Sequence, residues 1–326
     1  MRLLRYPPTI RQIPVTRRPG GAVLDHLRHH QIPKFNETQS IVQASRTSYH
    51  PRRLVSTAEM GDCCKSGFRW EVDTFEGKET KIAGLDTYVV GDNKDVAILI
   101  IHDILGWTSP NLRLLADHYA PESNATVYLV DFYGGEIVEP STMRDPEKLK
   151  AFDVGAFLAR HNKSIRGPEV FAAAKALKAE LGYKKVGVIG FCYGGWAAFQ
   201  LGGKGGAEYL PHAVLRWTLA YFCIGHNLVD AISVAHPSMV EEAEVDAVSV
   251  PVQILAPQHD PIFNPGLKEY CNKVIPTLGV EYDYQYFPNL AHGFATRGDP
   301  HNPVQKKGLE RAKNAAVLWF VQHLHN

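Results

Sequence analysis

The chain has 326 residues and a mass of 36.3 kDa, enough for one sizeable core plus an extension. With 35 Lys and Arg against 34 Asp and Glu it has no global field to gather nucleic acid or an anionic membrane, and no apolar run approaches the ~20 residues of a bilayer span. Five cysteines form an odd set without zinc spacing, so neither a metal site nor a cofactor is expected.

Residues 1–59 are a different kind of sequence from the rest. They carry Arg2, Arg5, Arg11, Arg17, Arg18, Arg28, Arg46, Arg52 and Arg53 against Asp25, Glu37 and Glu59. That Arg-rich, acid-poor balance is the composition of a mitochondrial presequence. Pro7, Pro8, Pro14 and Pro19, however, break the amphipathic helix an import receptor would bind. The stretch reads as a disordered extension, a transit segment, or an upstream start for a protein beginning at Met60. The expected location is cytoplasmic, with the mitochondrion as the alternative. Residues 60–326 are expected to form one domain. Adjacent Cys63 and Cys64 read as reduced side chains in a surface segment.

Glu79 to Val90 predicts an antiparallel hairpin ahead of the core. Val96 to Ile101 is a continuous apolar run of strand length, as a parallel strand buried on both faces requires. Ser109-Pro110 supplies an N-cap and a first-turn proline for a helix through about Ala120. Thr126 to Val130 is the next strand, and Gly167 opens a helix that Gly182 stops. Lys185 to Ile189 is again an apolar strand, followed by a helix-compatible run from Trp196 to Leu201. Leu215 to Phe222 and Val252 to Leu255 read as strands, Pro265 to Val274 as a helix and Glu281 to Phe287 as a strand. A last helix covers Val304 to Leu324. Strands alternating with helices predict a doubly wound, mostly parallel α/β sheet flanked by helices, with its site at the carboxyl ends of the strands. Cys223 and Cys271 read as core.

The most informative stretch is Gly190-Phe191-Cys192-Tyr193-Gly194-Gly195, a strand-to-helix turn with cysteine at its apex. A turn this sharp strains the apical residue and needs glycine two positions to either side. At the first turn of a helix, unsatisfied N–H groups favour both a thiolate and an oxyanion. A free thiol is only about a few per cent thiolate at neutral pH, so it needs a base. An α/β-hydrolase triad runs nucleophile, acid, histidine. Two downstream segments fit that order. An apolar strand ends in Asp260, and Tyr286 to Phe294 ends a strand in a loop with His292-Gly293. The separations, 260 − 192 = 68 and 292 − 260 = 32, leave room for the intervening elements. Cys192 is thus the expected nucleophile, His292 the base and Asp260 the group that orients it. Backbone N–H groups of Ile104 and Tyr193 are the expected oxyanion donors.

With His102-Asp103-Ile104-Leu105-Gly106-Trp107 added to these segments, residues 60 to 326 resemble the dienelactone hydrolase family, the cysteine branch of the α/β-hydrolases. Cys63 to Phe68 resembles the start of fungal members. The resemblance implies a hydrolase of lactones or small carboxylic esters acting through an acyl-thioester, on small molecules and as a monomer or weak homodimer. Bacterial members carry Glu where this chain has Asp103, and the resemblance implies a carboxylate that pairs with the resting thiol; Asp reaches one methylene less far, and the alternative is that Asp103 is only a strand-terminal turn residue. His102 reads as structural. Arg297 lies one position later than the arginine that holds a substrate carboxylate in bacterial members, and is a candidate for that role, with a solvated loop arginine as the alternative. Trp107 and Tyr133, each just past a strand end, are candidates for the pocket wall. The alternative substrate is an ester, thioester or lactone of polyketide type. A non-catalytic interaction protein on this fold would be expected to have a broken triad.

Overall fold

A computed structural model describes Trp70 and residues 74–139, 141–142, 145–204 and 228–326. The expected extension at 1–59, Cys63, Cys64, Cys223 and the strand expected at 215–222 lie outside the described residues. All that is described belongs to the unit Arg53–Asn326.

The hairpin is present as β1 (Lys78–Ile82) and β2 (Leu85–Val90). Ala83 and Gly84, both at positive φ (50° and 82°), form the tight turn whose twist suits two paired strands. β3 (Val96–Ile101) is buried along its whole length. Its alternate residues divide between two cores: Ala97, Leu99 and Ile101 pack on one face of the sheet, Val96, Ile98 and Ile100 on the other. An unbroken apolar run is what that double burial demands, and each of its Val, Leu and Ile side chains contributes about 1.5–3 kcal/mol.

The elements that follow are α1 (Pro110–Glu122), β4 (Thr126–Val130), two short helices α2 (Pro146–Ala151) and α3 (Val154–Arg160), and α4 (Lys163–Lys175). The chain continues with β5 (Lys185–Phe191), α5 (Gly194–Leu201), β6 (Ala231–Ala235), α6 (Glu242–Asp246), β7 (Val252–His259) and α7 (Pro265–Val274). β8 (Tyr282–Ala291), α8 (Phe294–Arg297) and α9 (Pro303–Leu324) complete it. Among the described residues the sheet has the order β1-β2-β4-β3-β5-β6-β7-β8. It is antiparallel at β1–β2 and β2–β4 and parallel elsewhere.

Several boundaries differ from the sequence expectation, each for a local reason. α4 starts four residues before Gly167, because the Asn162 side chain accepts hydrogen bonds from Ser164 N–H and Ile165 N–H, which leaves Pro168 inside the helix. The helix passes into a π turn, Ala176–Glu180, before Gly182 at φ 76° ends it. Ser109 precedes α1 without a side-chain cap, so Pro110 alone pre-sets that start. β6, five residues including two alanines and a serine, is a strand only because β5 and β7 pair with it on either side. β7 and β8 run on past their apolar parts to His259 and Ala291, paired across an irregularity between Pro257 and His259. That extension is what carries the next residue of each strand, Asp260 and His292, to one place.

Candidate active site

The turn after β5 is as tight as its composition demands. Cys192 has φ 47°, a conformation that costs a non-glycine residue about 1–3 kcal/mol and persists only when its surroundings enforce it. Here they do. Cys192 N–H donates to Ala235 O at 3.1 Å, and Cys192 O accepts from Gly195 N–H at 2.9 Å and Ser238 N–H at 2.8 Å. A Cβ on Gly190 would lie 2.3 Å from Gly194 O, and one on Gly194 would lie 2.3 Å from Ile101 O. Both glycines are therefore fixed by close backbone approach.

Three strand ends meet at this turn. His292 Nε2 lies 3.0 Å from Cys192 Sγ, and His292 Nδ1 lies 2.9 and 3.0 Å from the two Asp260 oxygens. Asp260 Oδ1 also accepts from Ile262 N–H and Phe263 N–H at 3.0 and 2.9 Å, which fixes the carboxylate's rotamer. All three residues are buried, with 6%, 3% and 4% of the Cys192, His292 and Asp260 surfaces exposed. Burial alone would push the His292 imidazole down. The negative charge available at Cys192 and the Asp260 hydrogen bond outweigh it and raise the imidazole to about 10. At 3.0 Å from the sulfur, His292 Nε2 is placed to exchange a proton with Cys192.

Asp103 sits elsewhere than its expected role requires. Its Oδ1 accepts from Leu105 N–H at 2.9 Å, and its Oδ2 accepts from the Thr296 hydroxyl at 2.9 Å and lies 3.5 Å from Arg297 Nε. The carboxylate is committed to the β3 turn and to α8. Arg297 correspondingly is 4% exposed, buried against Asp103 and not displayed on a solvated loop. The group that stands beside the thiol, 3.2 Å from Sγ, is the Ser238 hydroxyl, which sequence reading missed. Its only sequence signal is a His-Pro-Ser step after a short apolar stretch, which no motif distinguishes.

His102 is buried. Its Nδ1–H donates to Asp103 O at 2.8 Å and its Nε2 accepts from Phe132 N–H at 3.1 Å, and burial pushes it below its ordinary value. It ties β3 to β4, as a structural residue does. His236, also absent from the sequence expectations, is buried at φ 40°. It packs edge-on against His292 with ring centroids 4.9 Å apart, and neither ring nitrogen has a partner among the described residues. Burial first, then the charges of His292 and Arg297, push it well below the ordinary histidine range, so it is neutral.

The wall candidates divide. Trp107 is half-buried, its ring 5.0 Å beneath the Arg113 guanidinium. Tyr133 is fully buried, edge-on to His102 and Tyr193 at 4.4 and 5.0 Å. Its hydroxyl has no hydrogen-bond partner among the described residues. Burial and the charge of nearby groups, Cys192 among them, hold that phenol well above its ordinary value. Tyr193 ends on His161, its hydroxyl donating to the carbonyl at 2.6 Å. The N–H groups of Ile104 and Tyr193 donate to no described residue.

The sequence matches the Dienelactone hydrolase family over residues 85–324. The chain belongs to the dienelactone hydrolase family. It is accordingly a carboxylic ester hydrolase on an α/β-hydrolase fold. It is 27% identical over 265 residues to "Hydrolase pyvD" of Aspergillus violaceofuscus, covering 80% of this chain and 96% of that one. It is 26% identical over 266 residues to the human "Carboxymethylenebutenolidase homolog", again covering 80% and 96%. The fold is shared with carboxyl esterase 2 of the mycorrhizal fungus Tuber melanosporum. That match has a TM-score of 0.50 at 14% identity and covers 80% of this chain and 91% of that one.

Proposed function

We propose that this dienelactone hydrolase family member cleaves a lactone or small carboxylic ester through an acyl-thioester on Cys192, with His292 as acid and base and Asp260 orienting the imidazole. The observation that carries the reading is the alignment of Asp260, His292 and Cys192 at 2.9 and 3.0 Å around a cysteine held at positive φ. A core cysteine needs neither the strain nor the partners. A nucleophile needs both.

The chemistry follows from those contacts. The Cys192 thiolate attacks the acyl carbon, and the carbonyl oxygen takes up negative charge. Backbone N–H groups of Ile104 and Tyr193, at the end of β3 and the start of α5, are the donors proposed for that charge. Each such donor is worth about 3 kcal/mol of transition-state stabilisation. Imidazolium His292 gives its proton to the departing alkoxide as the tetrahedral centre collapses to the thioester. Neutral His292 then takes a proton from water, which attacks the thioester. Collapse returns the thiolate and the imidazolium. Asp260 holds the Nδ1–H tautomer throughout and offsets the imidazolium charge. The buried Tyr133 hydroxyl supports a wall that meets one polar atom of the substrate.

A panel of small lactones, aryl esters and thioesters tests the reading, with intact-mass measurement of the enzyme during turnover. Hydrolysis accompanied by an acyl adduct on the Cys192-containing peptide is the expected result. Turnover that survives Cys192→Ala refutes it.

A further inference from the structure

Ser238 is placed against the sulfur by backbone, not by a pliable side chain. Ser238 N–H donates to Cys192 O at 2.8 Å, and Cys192 N–H donates to Ala235 O, so the β6 end and the elbow are laced from both sides. A Cβ on Gly195 would lie 2.3 Å from Pro237 Cβ, which shows how closely the two turns fit. Ser238 is only 8% exposed, and its hydroxyl has no hydrogen-bond partner other than Sγ among the described residues.

We infer that the Ser238 hydroxyl is the second donor on the resting Cys192 sulfur, holding the thiolate that Asp103 is not placed to hold. The inference rests on the proposed role of Cys192. A thiolate accepts hydrogen bonds and donates none, so when the sulfur is ionised, with His292 on one side, the hydroxyl at 3.2 Å is the donor on the other. Among the described residues, the charged and titratable groups around the sulfur leave no other donor side chain there. His292 contacts it, Asp260 stands behind His292, His236 packs edge-on against His292, and Tyr133 packs on Tyr193. Asp103 and Arg297 are engaged with each other, and Asp103 with Thr296 and Leu105.

This hydrogen bond belongs to the ground state. As the carbon–sulfur bond forms, the sulfur loses its charge and the Ser238 hydroxyl loses its acceptor. The hydroxyl therefore increases the fraction of thiolate at low pH while slightly restraining its attack, and the two effects separate along the pH axis.

The experiment is the pH dependence of Cys192 alkylation by iodoacetamide, located by peptide mass, together with ultraviolet thiolate absorbance. It uses the full-length wild type, Ser238→Ala, Ser238→Gly, Ser238→Thr and Asp103→Asn, each checked for native unfolding. Losing a hydrogen bond to a charged group should move the acidic limb up by about one to two pH units in Ser238→Ala and Ser238→Gly. The rate at high pH should stay equal to wild type or exceed it, and Ser238→Thr should keep the wild-type limb. An unmoved limb in a folded Ser238→Ala or Ser238→Gly overturns the inference, as does a limb that moves in Asp103→Asn instead. Alkylation reports on the sulfur without turnover. A failure of the proposed nucleophile would show as hydrolysis surviving Cys192→Ala, and is distinguishable from a failure here.

Discussion

Asp103 and Arg297 form an ion pair, Oδ2 to Nε 3.5 Å, with 1% and 3% of their side chains exposed. It links the turn after β3 to α8, the helix that follows His292. Two charges taken out of water repay their desolvation only while both are present. Removing one partner should cost about 3–5 kcal/mol of stability. Urea unfolding of Asp103→Leu, Arg297→Leu and the double variant should show losses that fall well short of additive. The same variants decide whether Arg297 also binds a substrate carboxylate. That role predicts a KM rise in Arg297→Leu confined to carboxylate-bearing esters, whereas a purely structural arginine affects neutral and charged esters alike.

The three residues of the proposed reaction should behave as one unit. Cys192→Ala and His292→Ala are each expected to abolish ester hydrolysis. Asp260→Ala should lower kcat by about 10⁴, because the imidazole loses its tautomer and its counter-charge. Combining any two should add little. Steady-state kinetics on one well-cleaved ester suffices. Losses that multiply would mean that the three act independently.

Tyr133→Phe removes a buried hydroxyl that has no partner among the described residues. Such a hydroxyl costs about 1–3 kcal/mol of desolvation in the folded state. The variant should therefore melt at or above the wild-type temperature. If the hydroxyl meets substrate, kcat/KM should fall roughly tenfold, the worth of one hydrogen bond. An equal kcat/KM across the ester panel would leave Tyr133 as packing only.

His236 sets a pH dependence of stability. Its imidazole is held well below its ordinary value in the folded chain. The unfolded chain therefore binds this proton first as pH falls. The contribution of neutral His236 is present above the unfolded value of about 6.5 and is lost as pH drops towards the folded one, with a limiting slope of about 1.4 kcal/mol per pH unit. His236→Phe should flatten urea-unfolding free energy against pH below that point, and an unchanged slope would assign it to other groups. His292 has the opposite sign. Its raised value, about 10, gives stability that is full below about 6.5 and fades as pH rises through about 10.

Deleting residues 1–59 should leave hydrolysis and melting temperature nearly unchanged, because that Arg- and Pro-punctuated sequence lacks the apolar periodicity that offsets ordering entropy of about 1–2 kcal/mol per residue. Aggregation or several degrees of lost stability in the truncated protein would move the domain boundary upstream. Residues 1–59 fused to a fluorescent reporter would test the address. We propose a cytoplasmic protein, and mitochondrial import of the reporter would replace that reading.

What the sequence determined alone is whatever depends on short-range sterics and on burial. The glycines around Cys192 are dictated by backbone clashes within the turn and with β3, and the six-residue run of β3 by cores on both of its faces. The order of Cys192, Asp260 and His292 was legible because each sits immediately after one of the parallel strands of the sheet, whose carboxyl ends share one edge. The tertiary structure decided which polar groups face each other. Asp103 and Arg297 lie 194 positions apart and Ser238 and Cys192 46 apart, and a side chain's partner across such distances is set by strand register and helix placement, not by neighbours in the chain. β6 and its His236-Pro237-Ser238 turn carry no local signature because their strand character comes from the two strands beside them. The same register that makes β6 a strand sets the Ser238 hydroxyl against the sulfur.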